Sequence, residues 1–79
     1  MRELGTILSV TPTGHLTVRS SGSDFAPEGT PVRDARGLVR GRIVRVFGPV
    51  ARPYLSVRPR RVPTPAEGLS VIGGALVGE

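Results

Sequence analysis

The 79-residue chain contains no cysteine, no tryptophan and no lysine. Without cysteine, neither disulfides nor thiolate metal sites can strengthen the core, and a chain this short buries only about 60 to 65% of the surface that it exposes when unfolded. Oxidative folding outside the cell gains nothing from such a composition. We therefore predict an intracellular, cytoplasmic protein with a compact core.

Long apolar runs are missing as well. No window approaches the roughly 20 apolar residues that a membrane-spanning helix needs. The first residues, MRELGTILSVTPTG, lack the apolar stretch of a secretory leader. The sequence predicts a soluble protein with no membrane partner.

Charge of one sign dominates the chain. All 11 basic residues are arginine, against six carboxylates, for a net charge of +5. The planar guanidinium group binds phosphate and carboxylate alike, so this balance favours a polyanionic neighbourhood. Genome composition or growth at high temperature also produces an arginine-only basic set, and that alternative stays open.

Apolar residues alternate or occur in short runs bounded by glycine and proline, and no stretch sustains the spacing of an amphipathic helix. The 11 glycines and 8 prolines are spread along the chain, at the turn spacing of a small barrel or sandwich. The sequence predicts an all-β fold with strands over residues 4–10, 15–19, 30–33, 38–47, 53–58 and 69–72.

Six strands in a flat sheet would leave open edges that invite pairing with other chains. Closure removes those edges, so we predict a small closed six-stranded β-barrel, a split barrel like those of translation factors. The barrel domain is expected to span residues 1–73. Residues 74–79 are expected to form a short frayed tail.

Strand alternation predicts which side chains face the core. In the first strand, Leu4 and Leu8 share one face and Ile7 lies on the other, while Leu16 and Val18 point inward from the second strand.

Two loops carry further predictions. Phe25, in the segment SSGSDFAPEG, is expected to plug one end of the barrel. In the segment DARG, Asp34 is expected to organise a turn in which Gly37 adopts the left-handed conformation.

Residues that could carry out a reaction are scarce. His15 is the only histidine, and no carboxylate is placed by the sequence to orient it, so an exposed spectator is favoured over a general base. The six acids show no pairing typical of acid/base catalysis or of a metal cage. We predict that the protein is not an enzyme and has no catalytic residue, metal site or cofactor.

The segment RGRIVRVF, residues 40–47, superficially matches the strand motif of RNA-recognition domains. Those domains need aromatic residues at the third and fifth positions, where this chain has Arg42 and Val44. Three aromatic residues in the whole chain provide no stacking platform for single strands. Contact with RNA would run through arginine and phosphate, salt-sensitive and unspecific. A free-standing RNA-binding β-barrel of a ribosome-maturation type remains the alternative function.

The segment VFGPVARPY, residues 46–54, forms a proline-rich bend between two predicted strands. Proline fixes the backbone and so lowers the entropic cost of ordering the bend against a partner. Tyrosine is enriched at interface cores. The alternative that Phe47 and Tyr54 merely cap the barrel core stays open. We predict a protein-docking surface made of Arg45, Val46, Phe47, Gly48, Pro49, Val50, Pro53 and Tyr54.

A family resemblance is carried by the segments GTILSVTPTGHLTVR and GTPVRDARGLVRGRIVRVFGPVARPYLSVRP, the second of which contains VFGPVARPY. The chain resembles the small glycine/arginine-rich (Gar-one) core subunit of H/ACA ribonucleoproteins, in its archaeal form. The resemblance covers about residues 3–62. Arg45 and Arg33 depart from the family pattern, which often has an acidic and an aromatic residue there. The Arg-Gly dipeptides at Arg36 and Arg40 are single and lie within the predicted barrel, which favours the archaeal form over eukaryotic members with Arg-Gly-Gly tails. A related assembly factor that shares the barrel is a third possibility, but such factors are expected to carry long extensions.

This resemblance implies a non-catalytic subunit that docks on the catalytic domain of the RNA-guided pseudouridine synthase. Such a subunit assists substrate loading and product release in rRNA and tRNA pseudouridylation, and thereby ribosome biogenesis. Its expected partner is the synthase catalytic subunit, and it meets guide and substrate RNA only indirectly. The resemblance also implies that Gly41 and Gly48 keep the backbone tight around the docking surface.

Overall fold

The computed structural model describes residues 3–21 and 27–78, and within them the chain forms six strands and one short helix. The strands are β1 Glu3–Val10, β2 Leu16–Ser20, β3 Pro31–Asp34, β4 Arg40–Phe47, β5 Tyr54–Pro59 and β6 Ala75–Gly78, with helix α1 Pro65–Val71 between β5 and β6. The predicted all-β fold is confirmed. Phe25, the predicted plug, lies outside the described residues.

The strands close into a barrel in the order β1-β2-β5-β4-β3-β6. All six neighbouring pairs are antiparallel, and β6 pairs with both β1 and β3. Closure gives each strand a partner on both sides, which removes the sheet edges that promote aggregation. The predicted closed six-stranded barrel is therefore confirmed.

The barrel interior is filled by apolar side chains from all six strands. Leu16 and Val18 point inward as predicted. Burying each such side chain contributes about 1.5 to 3 kcal/mol, which a small domain needs. The core consists of Leu4, Ile7, Leu16, Val18, Val32, Val39, Ile43, Leu55, Val57, Val71 and Leu76.

The face prediction for β1 is wrong. Ile7 is fully buried, whereas Leu8 is 41% exposed. The cause is a register shift on each side of the strand: Leu8 is the extra residue between Ile7 and Ser9 against β2, and Leu4 is the extra residue against β6. A β-bulge breaks the period-two alternation, so Leu4 and Ile7 can both face the core.

The predicted strand over residues 69–72 is also wrong, because Leu69 lies in helix α1. Thr64 caps the helix: its hydroxyl accepts from the backbone N–H of Glu67 at 3.2 Å, while the Glu67 carboxylate accepts from the Thr64 N–H at 2.9 Å. Pro65 occupies the first turn. The signal was present in the sequence as Thr-x-x-Glu before an apolar run, a capping box.

The predicted frayed tail is wrong over Ala75–Gly78, which forms β6. After α1 the chain turns at Gly73, whose φ is +84° and whose N–H donates to the Ile7 carbonyl at 2.7 Å. Leu76 then enters the core with no exposed surface. The terminal segment therefore closes the barrel.

The turn between β3 and β4 is organised by Asp34, as predicted. This carboxylate is 3% exposed and accepts from the backbone N–H groups of Val39 at 2.6 Å and Arg36 at 3.1 Å. Gly37 has a φ of +76°, which confirms its left-handed conformation. Because this turn occupies residues 35–39, β4 begins at Arg40 rather than at the predicted residue 38.

Candidate docking corner

The eight predicted docking residues lie together where β4 turns into β5, and we call this site the corner: Arg45, Val46, Phe47, Gly48, Pro49, Val50, Pro53 and Tyr54. β4 ends at Phe47, β5 begins at Tyr54, and these two residues are direct cross-strand partners. The corner therefore consists of the turn that joins β4 to β5 and of the ends of these two strands.

Two aromatic rings and a guanidinium group stack at the corner. The ring centroids of Phe47 and Tyr54 are 5.7 Å apart with 26° between their planes. The Arg45 guanidinium carbon lies 5.0 Å from the Phe47 ring centroid. Stacked rings and a cation over a ring face are both favourable arrangements. They hold the Phe47 ring in a defined position on the outside of the barrel.

The outward position of Phe47 follows from a bulge in β4. Simple alternation would place Ile43 and Phe47 on the same side of the strand. Instead the register shifts between Ile43 and Arg45, with Val44 as the extra residue. Ile43 is fully buried, Val46 packs partly against the core, and Phe47 is 36% exposed.

The corner residues divide into an exposed set and a scaffold. Val50 at the tip is 90% exposed, and Gly48, Pro49 and Arg45 are also exposed. By contrast, Pro53 is buried, and Val46 and Tyr54 are half-buried. Contact with a partner would therefore involve Arg45, Phe47, Pro49 and Val50, which the others hold in place.

Backbone hydrogen bonds fix the turn. Arg52 N–H donates to the Pro49 carbonyl at 3.2 Å, and Ser20 N–H donates to the Pro53 carbonyl at 3.1 Å. The Arg52 side chain also donates from Nε to the Ser20 carbonyl at 3.4 Å. The corner is thus tied to the end of β2, so its shape is set before any partner arrives.

Gly48 is needed at the corner for two reasons. Its φ is +91°, which side-chain-bearing residues rarely adopt, and an added Cβ would lie 2.8 Å from Cδ2 of Tyr54. Gly41 lies at the other end of β4, where an added Cβ would collide with the Arg58 carbonyl oxygen. Gly41 therefore permits close strand approach, but away from the corner.

No family model matches the chain. An uncharacterized protein of Methanothermobacter thermautotrophicus (strain Delta H) is 32% identical over 76 residues, which cover 96% of this chain and 80% of the relative. The chain belongs to that protein's family. Because the relative's name states no activity, membership in this archaeal protein's family gives neither substrate nor partner.

Helix α1 adds an apolar surface that sequence reasoning missed. Leu69 is 75% exposed, Val62 68% and Ile72 44%. They border a hollow of about 510 Å³ between α1 and the β1–β2 turn. The capping box at Thr64 and Glu67 is the sequence signal for this helix. It implies that Leu69 lies on a short helix rather than in a closing strand.

The described residues 3–21 and 27–78 contain no group of three or more histidine, aspartate and glutamate side chains that could hold a metal ion. His15 is half-buried, and its Nδ1 lies 3.1 Å from the Thr13 hydroxyl. Within the same residues, no helix is long and apolar enough to span a membrane. The absence of catalysis remains a prediction.

Proposed function

We propose that the protein is a non-catalytic subunit of the H/ACA RNA-guided pseudouridine synthase particle. It docks on the catalytic domain of the synthase through the corner and assists substrate loading and product release in rRNA and tRNA pseudouridylation. The observation that carries this proposal is the preorganised, exposed apolar tip formed by Phe47, Pro49 and Val50. The resemblance of residues 3–62 to the archaeal subunit supports the choice of partner.

The physical support is that binding through such a tip costs little conformational entropy. The turn hydrogen bonds and two prolines restrict the backbone, so little conformational entropy remains to be lost on association. A few central anchors usually supply most of the energy of an interface. Phe47 and Val50 are suited to that role because both expose apolar surface that water would leave on docking.

Arg45 supports a specific partner rather than a general apolar one. Its exposed guanidinium beside the Phe47 ring can pair with a carboxylate on the partner. A charge at the rim of an interface steers the encounter and rejects partners that place a positive charge there. We therefore propose an acidic group on the synthase opposite Arg45.

Co-elution with the synthase catalytic subunit, in the absence of RNA, tests the proposal. Val50→Asp places a charge in the docked interface and should weaken binding at least tenfold, since Val50 is 90% exposed and contributes little to folding. Leu69→Asp is the matched control, because Leu69 is 75% exposed on helix α1, away from the corner. It should bind like the wild type.

Phe47→Asp and Tyr54→Ala extend the test, and circular dichroism must show that both variants are folded. Wild-type binding by folded Val50→Asp and Phe47→Asp would contradict the proposal. Failure of the wild type to bind the synthase, combined with steep salt-dependent binding of guide RNA by the isolated chain, would favour the free-standing RNA-binding barrel instead.

A further inference from the structure

A group of arginines covers the end of the β4–β5 pair that lies away from the corner. Arg42 and Arg58 are direct cross-strand partners on these antiparallel strands. Both are exposed, as is Arg60, which follows directly after β5. We call Arg42, Arg58 and Arg60 the arginine face.

The arginine face lines two neighbouring hollows. One, of about 400 Å³, is bordered by Arg42, Arg58 and Arg60 together with Gly41, Val44 and Pro59. The other, of about 360 Å³, lies on the far side of the Arg58–Arg60 segment and includes His15 and Arg61. No carboxylate among residues 3–21 and 27–78 lines either hollow. The two hollows share Arg58, Pro59 and Arg60 as lining residues, so these arginines border both.

The charges of the arginine face are not neutralised by the acids that the structure describes. Arg61 next to it forms an ion pair with Glu67 at 2.9 Å. Within residues 3–21 and 27–78, the Arg42 side chain instead donates to the uncharged Gly29 carbonyl, at 3.3 Å. Like charges directly opposite each other in an antiparallel pair destabilise the sheet. An anion bound between Arg42 and Arg58 would remove that repulsion.

We propose that the arginine face binds the phosphate backbone of an RNA strand, independently of its base sequence. Three guanidinium groups that pair with no carboxylate of residues 3–21 and 27–78 line these two hollows. They suit a ligand whose charge repeats along its length, because each group can hold a phosphate through paired N–H donors. No phenylalanine, tyrosine or tryptophan borders either hollow, so the hollows lack the row of aromatic rings on which single-strand-binding proteins stack successive bases. The inference goes beyond the docking proposal and shares no residue with the corner.

Fluorescence titration of the full chain with a labelled uridine decamer tests this inference. If three phosphate contacts form, affinity should fall about twentyfold between 50 and 200 mM salt, because each contact to a single strand contributes a slope of about −0.7. Arg58→Glu should weaken binding at least tenfold and flatten the salt dependence. Arg58→Lys, which keeps the charge, should retain most of the affinity.

Arg19→Glu is the matched control, because Arg19 is an exposed arginine on β2, opposite Tyr54 at the corner end of the barrel. It changes the net charge by the same amount and should weaken binding less than threefold. Equal losses for Arg19→Glu and Arg58→Glu would overturn the inference in favour of nonspecific attraction. Binding of a labelled aspartate decamer instead of the uridine decamer would overturn it in favour of an acidic polypeptide.

The RNA titration uses the isolated chain, and the synthase co-elution uses no RNA. Each assay can therefore fail while the other succeeds, which keeps the two proposals separable.

Discussion

The ring of Phe47 stacks on the ring of Tyr54 directly across the β4–β5 ladder, with centroids 5.7 Å apart. Phe47 lies at the end of one strand and Tyr54 at the start of the next, so the pair closes the base of the exposed turn. The same contact thus stabilises the hairpin and positions the apolar tip that we propose for docking.

The ring pair predicts a measurable coupling. In a double-mutant cycle of Phe47→Ala and Tyr54→Ala, urea unfolding should give a coupling free energy of about 0.5 to 1.5 kcal/mol, as is usual for stacked aromatic pairs. Additive effects of the two substitutions, within about 0.3 kcal/mol, would contradict the contact.

We expect substitution of Gly48 to lower the free energy of unfolding by more than backbone strain alone explains. Gly48→Ala should lower the free energy of unfolding by about 1 to 2 kcal/mol from strain, and by more because the new Cβ would press on the Tyr54 ring. Gly29→Ala is the control, with a φ of +89° and open space around an added Cβ. Equal losses in urea unfolding would show that the Tyr54 ring moves aside freely.

Asp34 should be among the most sensitive polar positions. Asp34→Ala leaves the backbone N–H groups of Val39 and Arg36 without their acceptor, and an unsatisfied buried donor costs about 1 to 3 kcal/mol. Asp34→Asn keeps one carbonyl oxygen and should fall between the wild type and Asp34→Ala. Glu28→Ala, which removes an exposed carboxylate, should change stability by less than about 0.5 kcal/mol in thermal or urea unfolding.

The cap of helix α1 predicts a dependence of stability on pH. Hydrogen bonds from the Arg61 guanidinium and from the Thr64 N–H lower the pKa of Glu67 from 4.5 to about 2. Because the folded pKa is depressed, this carboxylate contributes its stability above about pH 4.5 and loses it as the pH falls towards 2. The same contribution is absent at every pH when the carboxylate is replaced.

The measurement is the difference in melting temperature between the wild type and Glu67→Gln. That difference should be largest near neutral pH and should shrink between pH 4.5 and about 2. Glu28→Gln, whose carboxylate bonds to no described residue, is the control for a general loss of charge. A difference that stays constant across this window would show that the cap does not depend on ionised Glu67.

Local patterns in the sequence predicted the strands that flank the turns, and they also predicted where the corner lies. Gly37 and Asp34 mark their turn through properties of single residues, and Leu16 and Val18 alternate without interruption. The predicted strand faces were wrong where a bulge interrupts the strand, as at Leu8. The extra residue of a bulge depends on the partner strand, so it leaves no local signal in the sequence. The predicted strand over residues 69–72 is wrong for a different reason. The capping box of α1 is a local signal in the sequence, but the apolar residues Leu69 and Ile72 also fit the pattern of a short strand.

The sequence by itself determined an all-β barrel, the turn at Asp34 and the place of the corner, because these depend on backbone preferences and on alternation within a few residues. Tertiary structure decided that Ala75–Gly78 closes the barrel, since β6 is held by pairing with β1 and β3, which are distant in the chain. It also placed Arg42 opposite Arg58. Register between strands is set by the packing of the whole core, and no single segment carries that information.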